Sequence, residues 1–207
     1  MEIKNESVIL RDFIESDIDD RIYWRTVETE WQLWDAPWEF DEAEESFDPH
    51  EYRAEKLAWL EKEKDDSRMR WSFEICINDK AKSHIGWCNA YYIDDDYEYT
   101  EGDGRCTIGI DIPLLSVRHK GYATSAWYLF IEYFMSKGID EFYTQTWSGN
   151  KRLIGLAHKL GFEECKRKNN FRKVRGQFYD GLTFKLNMGK YKEFSDLKSI
   201  EKNIAKV

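Results

Sequence analysis

The stretch Ile108-Gly109-Ile110-Asp111-Ile112-Pro113, continued by Ser116-Val117-Arg118-His119-Lys120-Gly121-Tyr122-Ala123-Thr124, decides how the rest of the chain is read. Residues 108–112 alternate apolar with small or polar positions, as a strand does, and Pro113 ends the ladder because it has no N–H to donate. From Ala123 the apolar residues Ala126, Trp127, Phe130 and Phe134 recur three or four apart, which predicts a helix with one buried face, closed by Ser136-Lys137-Gly138. The first-turn amides of such a helix lack intrahelical partners, and the aligned peptide dipoles favour an anion in front of them. Gly121 permits close approach or a positive φ, Ala123 adds little bulk, and Arg118, His119 and Lys120 bring cationic or hydrogen-bonding groups alongside. These features describe a diphosphate cradle or, with no ligand, an ordinary helix cap. Neither GxxxxGK[ST] nor GxGxxG occurs, so the loop is not a P-loop or a dinucleotide fingerprint.

The block Arg118-His119-Lys120-Gly121-Tyr122-Ala123 resembles the Arg/Gln-x-x-Gly-x-Gly/Ala pyrophosphate signature of the GNAT superfamily of acyl-CoA-dependent N-acetyltransferases. A second block is similar to that family's next one. It comprises a strand from Glu141 to Trp147, then Asn150-Lys151-Arg152 opening a helix that ends in Lys159-Leu160-Gly161-Phe162. Arg175-Gly176-Gln177-Phe178-Tyr179-Asp180, before the apolar run Leu182 to Leu186, resembles the closing hairpin of one branch of the family. That branch acetylates ribosomal-protein N-termini (RimJ/RimL-like), spermidine-like polyamines and some antibiotics. The opening Val8-Ile9-Leu10-Arg11-Asp12-Phe13, followed by Asp17, is loosely similar as well. The resemblance sets an expected acetyltransferase domain at residues 1–188 and a helical tail at 189–207, where Phe194, Leu197, Ile200 and Ile204 keep helical spacing.

The fold implied by this resemblance is α+β, a twisted mixed sheet flanked by helices in the order β-α-α-β-β-β-α-β-α-β-β. The strands of Asp111 and Thr146 would be parallel neighbours that splay apart for the pantetheine arm. The implied activity is direct attack of a primary amine on acetyl-CoA, with no metal. Residues 118–124 would hold the diphosphate, the backbone of Ile110 and Ile112 the pantetheine amides, and Asn150 either the pantetheine arm or only its own helix start. The sequence departs from the family in two places. Where members often carry a glutamate base this chain has Arg105, Cys106 and Thr107, which leaves Asp111 as the substitute or as a solvent-facing strand residue. Where many carry a tyrosine acid it has Ala157, which leaves Tyr143, Ser148 and Tyr179 as donors to the leaving thiolate; a thiol with pKa about 8.5 also leaves tolerably without one.

Composition bounds the partners. The 207 residues fit one domain, and a net charge of −9 argues against a general nucleic-acid or anionic-membrane surface while suiting a cationic substrate. Cys76, Cys88, Cys106 and Cys165 are scattered without CxxC, and the four histidines form no HxxxH, which points to reduced cytoplasmic thiols and no metal; a monomer or a homodimer is expected. The N-terminus is too polar for a signal peptide and no apolar run reaches membrane length.

The stretch from Trp24 to Asp41 is unusual. Trp24, Trp31, Trp34 and Trp38 stand among Glu28, Glu30, Asp35, Glu39 and Asp41. The indoles either complete a core under a loop or, with Asp35 and Glu39, cover and pair a protonated amine acceptor. The remaining chain reads as a strand Ser7 to Phe13, helices from Glu15 towards Val27 and from Pro49 to Lys64 broken by Asp65-Asp66-Ser67, and strands Arg70 to Ile77 and His84 to Tyr92. A loop over Asp94 to Gly104 and a final hairpin over Phe162 to Asn169 and Gln177 to Asn187 complete it. Three functions fit: an amine acetyltransferase, a non-catalytic acyl-CoA-binding module on the same fold, or a structural partner-binding domain.

Overall fold

The computed structural model describes residues 1–41, 47–62 and 68–204, with the side chains of residue 41 and of residues 198–204 outside that description. The expected helix break at Asp65-Asp66-Ser67 and the tail residues Ile200 and Ile204 therefore lie outside the described residues or side chains. The chain divides into two compact units, residues 1–90 with 109–138, and residues 91–108 with 139–207.

The first unit begins with β1 (Glu2–Lys4) and β2 (Val8–Arg11), an antiparallel pair. Asn5 makes the turn between them, its Oδ1 accepting from the amides of Ser7 and Val8 at 2.9 and 3.0 Å. The strand expected from Ser7 to Phe13 is thus shorter and gains an unexpected partner, because a polar turn at Asn5 lets the N-terminus fold back. Then come α1 (Asp17–Thr26), a 3-10 turn (Thr29–Leu33), the short α2 (Pro37–Asp41), an element that the sequence reading did not assign, and α3 (Pro49–Lys62). None of the described residues of α3 is fully buried, so Tyr52, Leu57 and Leu60 form only a half-buried side. Next, β3 (Ser72–Ile77) pairs antiparallel with β2 and with β4 (His84–Ile93), which passes into the second unit after Ala90.

In the second unit β5 (Tyr99–Thr100) pairs with the end of β4 inside the stretch expected to be all loop. Asp94 organises the turn before it by accepting from the amides of Asp96 and Glu98. β6 (Arg105–Asp111) starts in this unit and re-enters the first at Gly109, leading to α4 (Tyr122–Met135). β7 (Phe142–Trp147) runs parallel to β6 through Cys106↔Phe142 and Thr107↔Tyr143 and antiparallel to a later strand on its other edge. After α5 (Lys151–Lys159), β8 (Phe162–Val174) and β9 (Gln177–Leu186) form a hairpin longer than the sequence suggests, with register shifts at Glu164/Lys166 and Lys168/Arg172 that absorb the extra residues. The class is α+β as expected, mostly antiparallel, with β6 and β7 parallel.

The last helix, α6 (Met188–Ile204), belongs to the second unit; Asn187 caps it by accepting from the amides of Gly189 and Lys190, and Tyr191 is buried. In the first unit α4 packs its periodic face on the sheet, with Trp127, Phe130 and Phe134 fully buried and Phe73 edge-on to Phe130 and Tyr133. Each such ring stabilises by roughly 1.5–3 kcal/mol. Trp127 also donates from Nε1 to the Gly109 carbonyl at 3.3 Å, tying α4 to the end of β6. No helix among the described residues is long and apolar enough to cross a membrane.

Candidate active site

The first unit holds the loop from Asp111 to Thr124 and, separately in sequence, the tryptophan-rich segment. Close approach at the end of β6 is built in: a Cβ on Gly86 of β4 would lie 2.0 Å from the Asp111 carbonyl oxygen, so only glycine lets β4 pass there. Beyond Pro113, His119 and Gly121 both take positive φ, +60 and +85, and Gly121 is the N-cap of α4. No side chain caps this helix, and the amide of Ser125 closes the first turn on the Gly121 carbonyl at 3.0 Å. His119, Lys120 and Gly121 are exposed, Tyr122 and Ala123 half-buried, and Thr124 buried. A Cβ at Gly121 would meet nothing within 4 Å, so its φ rather than crowding demands glycine, and the space before the helix start stays open.

Arg118, expected beside the diphosphate, turns its guanidinium back into the protein. Nε donates to the Ile112 carbonyl at 3.0 Å and one terminal nitrogen to the Pro113 carbonyl at 2.8 Å, while the other pairs with Glu30. The half-buried Ile112 therefore has its carbonyl occupied by Arg118; Ile110 is also half-buried.

The tryptophans divide between the two roles that the sequence left open. Trp31 is buried, donates from its indole to the Trp24 carbonyl at 2.7 Å and packs edge-on against Trp87 and Phe40, so it belongs to the core. Trp34 is half-buried with its indole N–H on Glu30 at 2.6 Å, and Trp38 is half-buried on α2. Asp35 and Glu39 are exposed. Protein packed around Asp35 nonetheless disfavours its charged form.

Electrostatics brings this segment to the end of β6. Burial pushes the Asp111 carboxyl well above the usual carboxylate range and Asp35 adds to the push, while Arg21 and Arg118 oppose it. Burial, reinforced by Glu39, raises Asp35 to about 6 against one backbone hydrogen bond from Ala36. Asp111 thus interacts with Asp35 and Asp35 with Glu39, and the charges of Arg21 and Arg118 reach Asp111.

Behind them lies a charged network that the sequence did not reveal. Arg21 donates twice to Glu74, at 2.6 and 3.2 Å, and stacks 3.5 Å over Trp87. His84 lies between Glu74 at 2.7 Å and Asp20 at 2.9 Å. Arg11 holds Asp17 in a fork at 2.6 and 2.7 Å. Asp17, Asp20 and His84 are the one grouping among the described residues with metal-like spacing, but the arginine fork already occupies Asp17. No spacing rule links Arg21 to Glu74, so only the fold reveals that pair.

The other expected residues lie in the second unit. Asn150 is the N-cap of α5, accepting from the Leu153 amide at 3.1 Å. The Ser148 hydroxyl accepts from the Asp180 amide at 3.0 Å, which leaves its own proton to donate. Tyr179 donates its hydroxyl to Gln177 at 3.1 Å and packs edge-on to Trp147.

Comparison with known proteins gives the loop its context. A sequence model described as an acetyltransferase (GNAT) domain matches residues 7–163. The chain belongs to the GNAT acetyltransferase family. Acetyl-CoA is the co-substrate of this family, and an uncapped helix start opened by a positive-φ glycine, with Lys120 and His119 exposed beside it, fits the diphosphate of that molecule. Among solved structures, an uncharacterized protein from Bacillus halodurans is similar over 96% of each chain (TM-score 0.64, 16% identity). A ribosomal-protein-S5-alanine acetyltransferase from Vibrio fischeri is similar over 89% of this chain and 95% of its own (TM-score 0.64, 16% identity). RimL, a ribosomal L7/L12 α-N-protein acetyltransferase in complex with coenzyme A, covers 89% and 97% (TM-score 0.64, 13% identity). At these identities the likeness is one of fold. Curated protein sequences give no match.

Proposed function

We propose that this protein transfers the acetyl group of acetyl-CoA to a primary amine that arrives as a cation, a small molecule or a peptide N-terminus, in the cytoplasm. The observation that carries the reading is the group of interacting carboxyls Asp111, Asp35 and Glu39 in the same unit as the open, uncapped start of α4.

The chemistry follows from their protonation. An alkylamine titrates near ~10 and an α-amine near ~8, so the acceptor arrives protonated and must lose a proton before its lone pair can attack. Burial and mutual repulsion hold the Asp35 and Asp111 carboxyls above the usual range, so the pair resists carrying two negative charges and holds a proton more readily than free carboxylates do. Asp35, with Glu39, pairs the incoming ammonium, and Trp34 and Trp38 cover its alkyl stem. The ammonium charge then lowers the pair, expels its shared proton to solvent and leaves Asp111 a carboxylate able to take the proton of the amine. The neutral nitrogen attacks the thioester carbonyl carbon, the C–S bond breaks and the thiolate leaves as coenzyme A, able with a thiol pKa of about 8.5 to depart without a proton donor.

Two measurements test this reading. Thiol release across a panel of amines with acetyl-CoA should show turnover that favours cationic acceptors over neutral ones. Calorimetric titration of the best acceptor in two buffers of different ionisation enthalpy should show net proton release on binding. Proton uptake, or turnover of neutral and cationic acceptors alike, would overturn the assignment of Asp111 and Asp35.

A further inference from the structure

Glu30 has both carboxylate oxygens engaged on different parts of the first unit. Oε2 pairs with Arg118, three residues before the glycine that opens α4, and Oε1 accepts the indole N–H of Trp34 at 2.6 Å. The same guanidinium holds the Ile112 and Pro113 carbonyls, which follow directly on Asp111. The 3-10 turn that carries Glu30 is anchored in turn, since the amides of Trp34 and Asp35 bond the Trp31 carbonyl at 3.0 and 3.2 Å and the Trp31 indole bonds the Trp24 carbonyl. The planar guanidinium fork is therefore the junction between the strand exit, the cofactor loop and the segment that carries Asp35.

We infer that Glu30 is a positioning residue that registers residues 29–41 against the cofactor loop through Arg118, so that order imposed on the loop by coenzyme A is transmitted to the acceptor segment. The term acceptor segment rests on the function proposed above; the coupling itself does not, because it needs only coenzyme A. A displacement of Arg118 is felt at three points at once, whereas the backbone amides at the start of α4 carry the diphosphate without Glu30. Losing Glu30 should therefore separate the two regions while sparing binding. Mutual effects of this kind are reciprocal, so a cofactor that orders the segment is itself held more tightly once the segment is filled.

The test is hydrogen–deuterium exchange of the full chain with and without coenzyme A. In the unmutated protein, coenzyme A should slow exchange in both 112–124 and 29–41. Glu30→Gln keeps the side-chain shape and an oxygen for the Trp34 indole but loses the charge. It should bind coenzyme A within about threefold of the original affinity, since a partly exposed ion pair at one remove contributes little, and should protect 112–124 but not 29–41. Trp34→Phe keeps the ion pair and should retain protection in both. Full protection of 29–41 in Glu30→Gln, its absence in the unmutated protein, or its equal loss in Trp34→Phe would each overturn the inference, and a chain that bound no coenzyme A would overturn it together with the proposed function. If Glu30→Gln uncouples the regions but Asp35→Asn leaves the acceptor KM unchanged, the coupling stands and only the acceptor assignment falls.

Discussion

The two halves of the candidate site differ in what specifies them. What the loop from Arg118 to Thr124 offers a ligand is backbone: a glycine at φ +85 and a helix start with no side-chain cap. The segment from Thr29 to Asp41 works through side chains whose roles depend on what the fold sets beside them, so that Trp31 becomes core while Asp35, four residues on, keeps solvent access. Backbone-determined sites are therefore readable as motifs, and side-chain-determined sites only as composition until the chain is folded.

The sharpest way to break this contrast is at Asp111, where the two halves meet. Asp111→Asn removes a proton acceptor without changing shape, and kcat should fall by about a hundredfold or more while the coenzyme A affinity stays near its original value. A change of less than about threefold in kcat would remove Asp111 from proton transfer, since general bases contribute more than that. On the backbone side, Gly121→Val forces a β-branched residue away from φ +85. Coenzyme A affinity should drop about ten- to a hundredfold, the equivalent of ~1–3 kcal/mol of backbone strain. The far-UV circular dichroism should stay near native, because a Cβ there meets no protein atom within 4 Å. Unchanged binding by calorimetry would place the cradle elsewhere.

On the side-chain side, Asp35→Asn should raise the acceptor KM several-fold, roughly the 1 kcal/mol of a partly exposed charge contact, and leave the acetyl-CoA KM nearly unchanged. The effect should shrink with added salt, as screened charges do. Equal changes in both KM values would return the segment to a structural role.

Legibility follows the same division. The helix periodicity of Ala126, Trp127, Phe130 and Phe134 and the glycine at its start were readable because each is fixed locally, and the core confirms them. The fold-back of β1, the two-residue β5 and the long β8–β9 hairpin were not, because polar turns and register shifts leave little mark on a hydrophobic pattern. Arg118 shows the limit most plainly. Its place in the motif was evident, yet its side chain serves Ile112, Pro113 and Glu30, and Glu30 lies far away in the sequence. His84 was passed over as one of four scattered histidines, although the fold sets it between Glu74 and Asp20 and against Trp24 at 4.7 Å.

That histidine supplies the smallest and most diagnostic effect. Burial alone would lower it, but the hydrogen bonds to Asp20 and Glu74 and the charges of Glu74 and Asp17 outweigh burial and raise it above the usual imidazole range. Arg11, on Asp17, and Arg21, on Glu74, are the cations that face the same carboxylates. A group whose pKa is raised on folding stabilises the fold fully below its unfolded value near ~6.5 and loses that contribution as pH climbs through the folded value. The melting temperature should therefore decline as pH climbs from about 6.5 towards 8. Stopping at pH 8 keeps clear of Cys76, Cys88 and Cys106, whose thiols burial pushes up and whose own linkage begins at higher pH. In His84→Gln the decline over this window should become shallower, the remainder belonging to Asp111, whose carboxyl is also raised on folding and so loses stability in the same direction as pH climbs. A decline of equal slope in His84→Gln would remove the imidazole from the linkage and assign the whole pH dependence to the raised carboxyls of the site, Asp111 first among them.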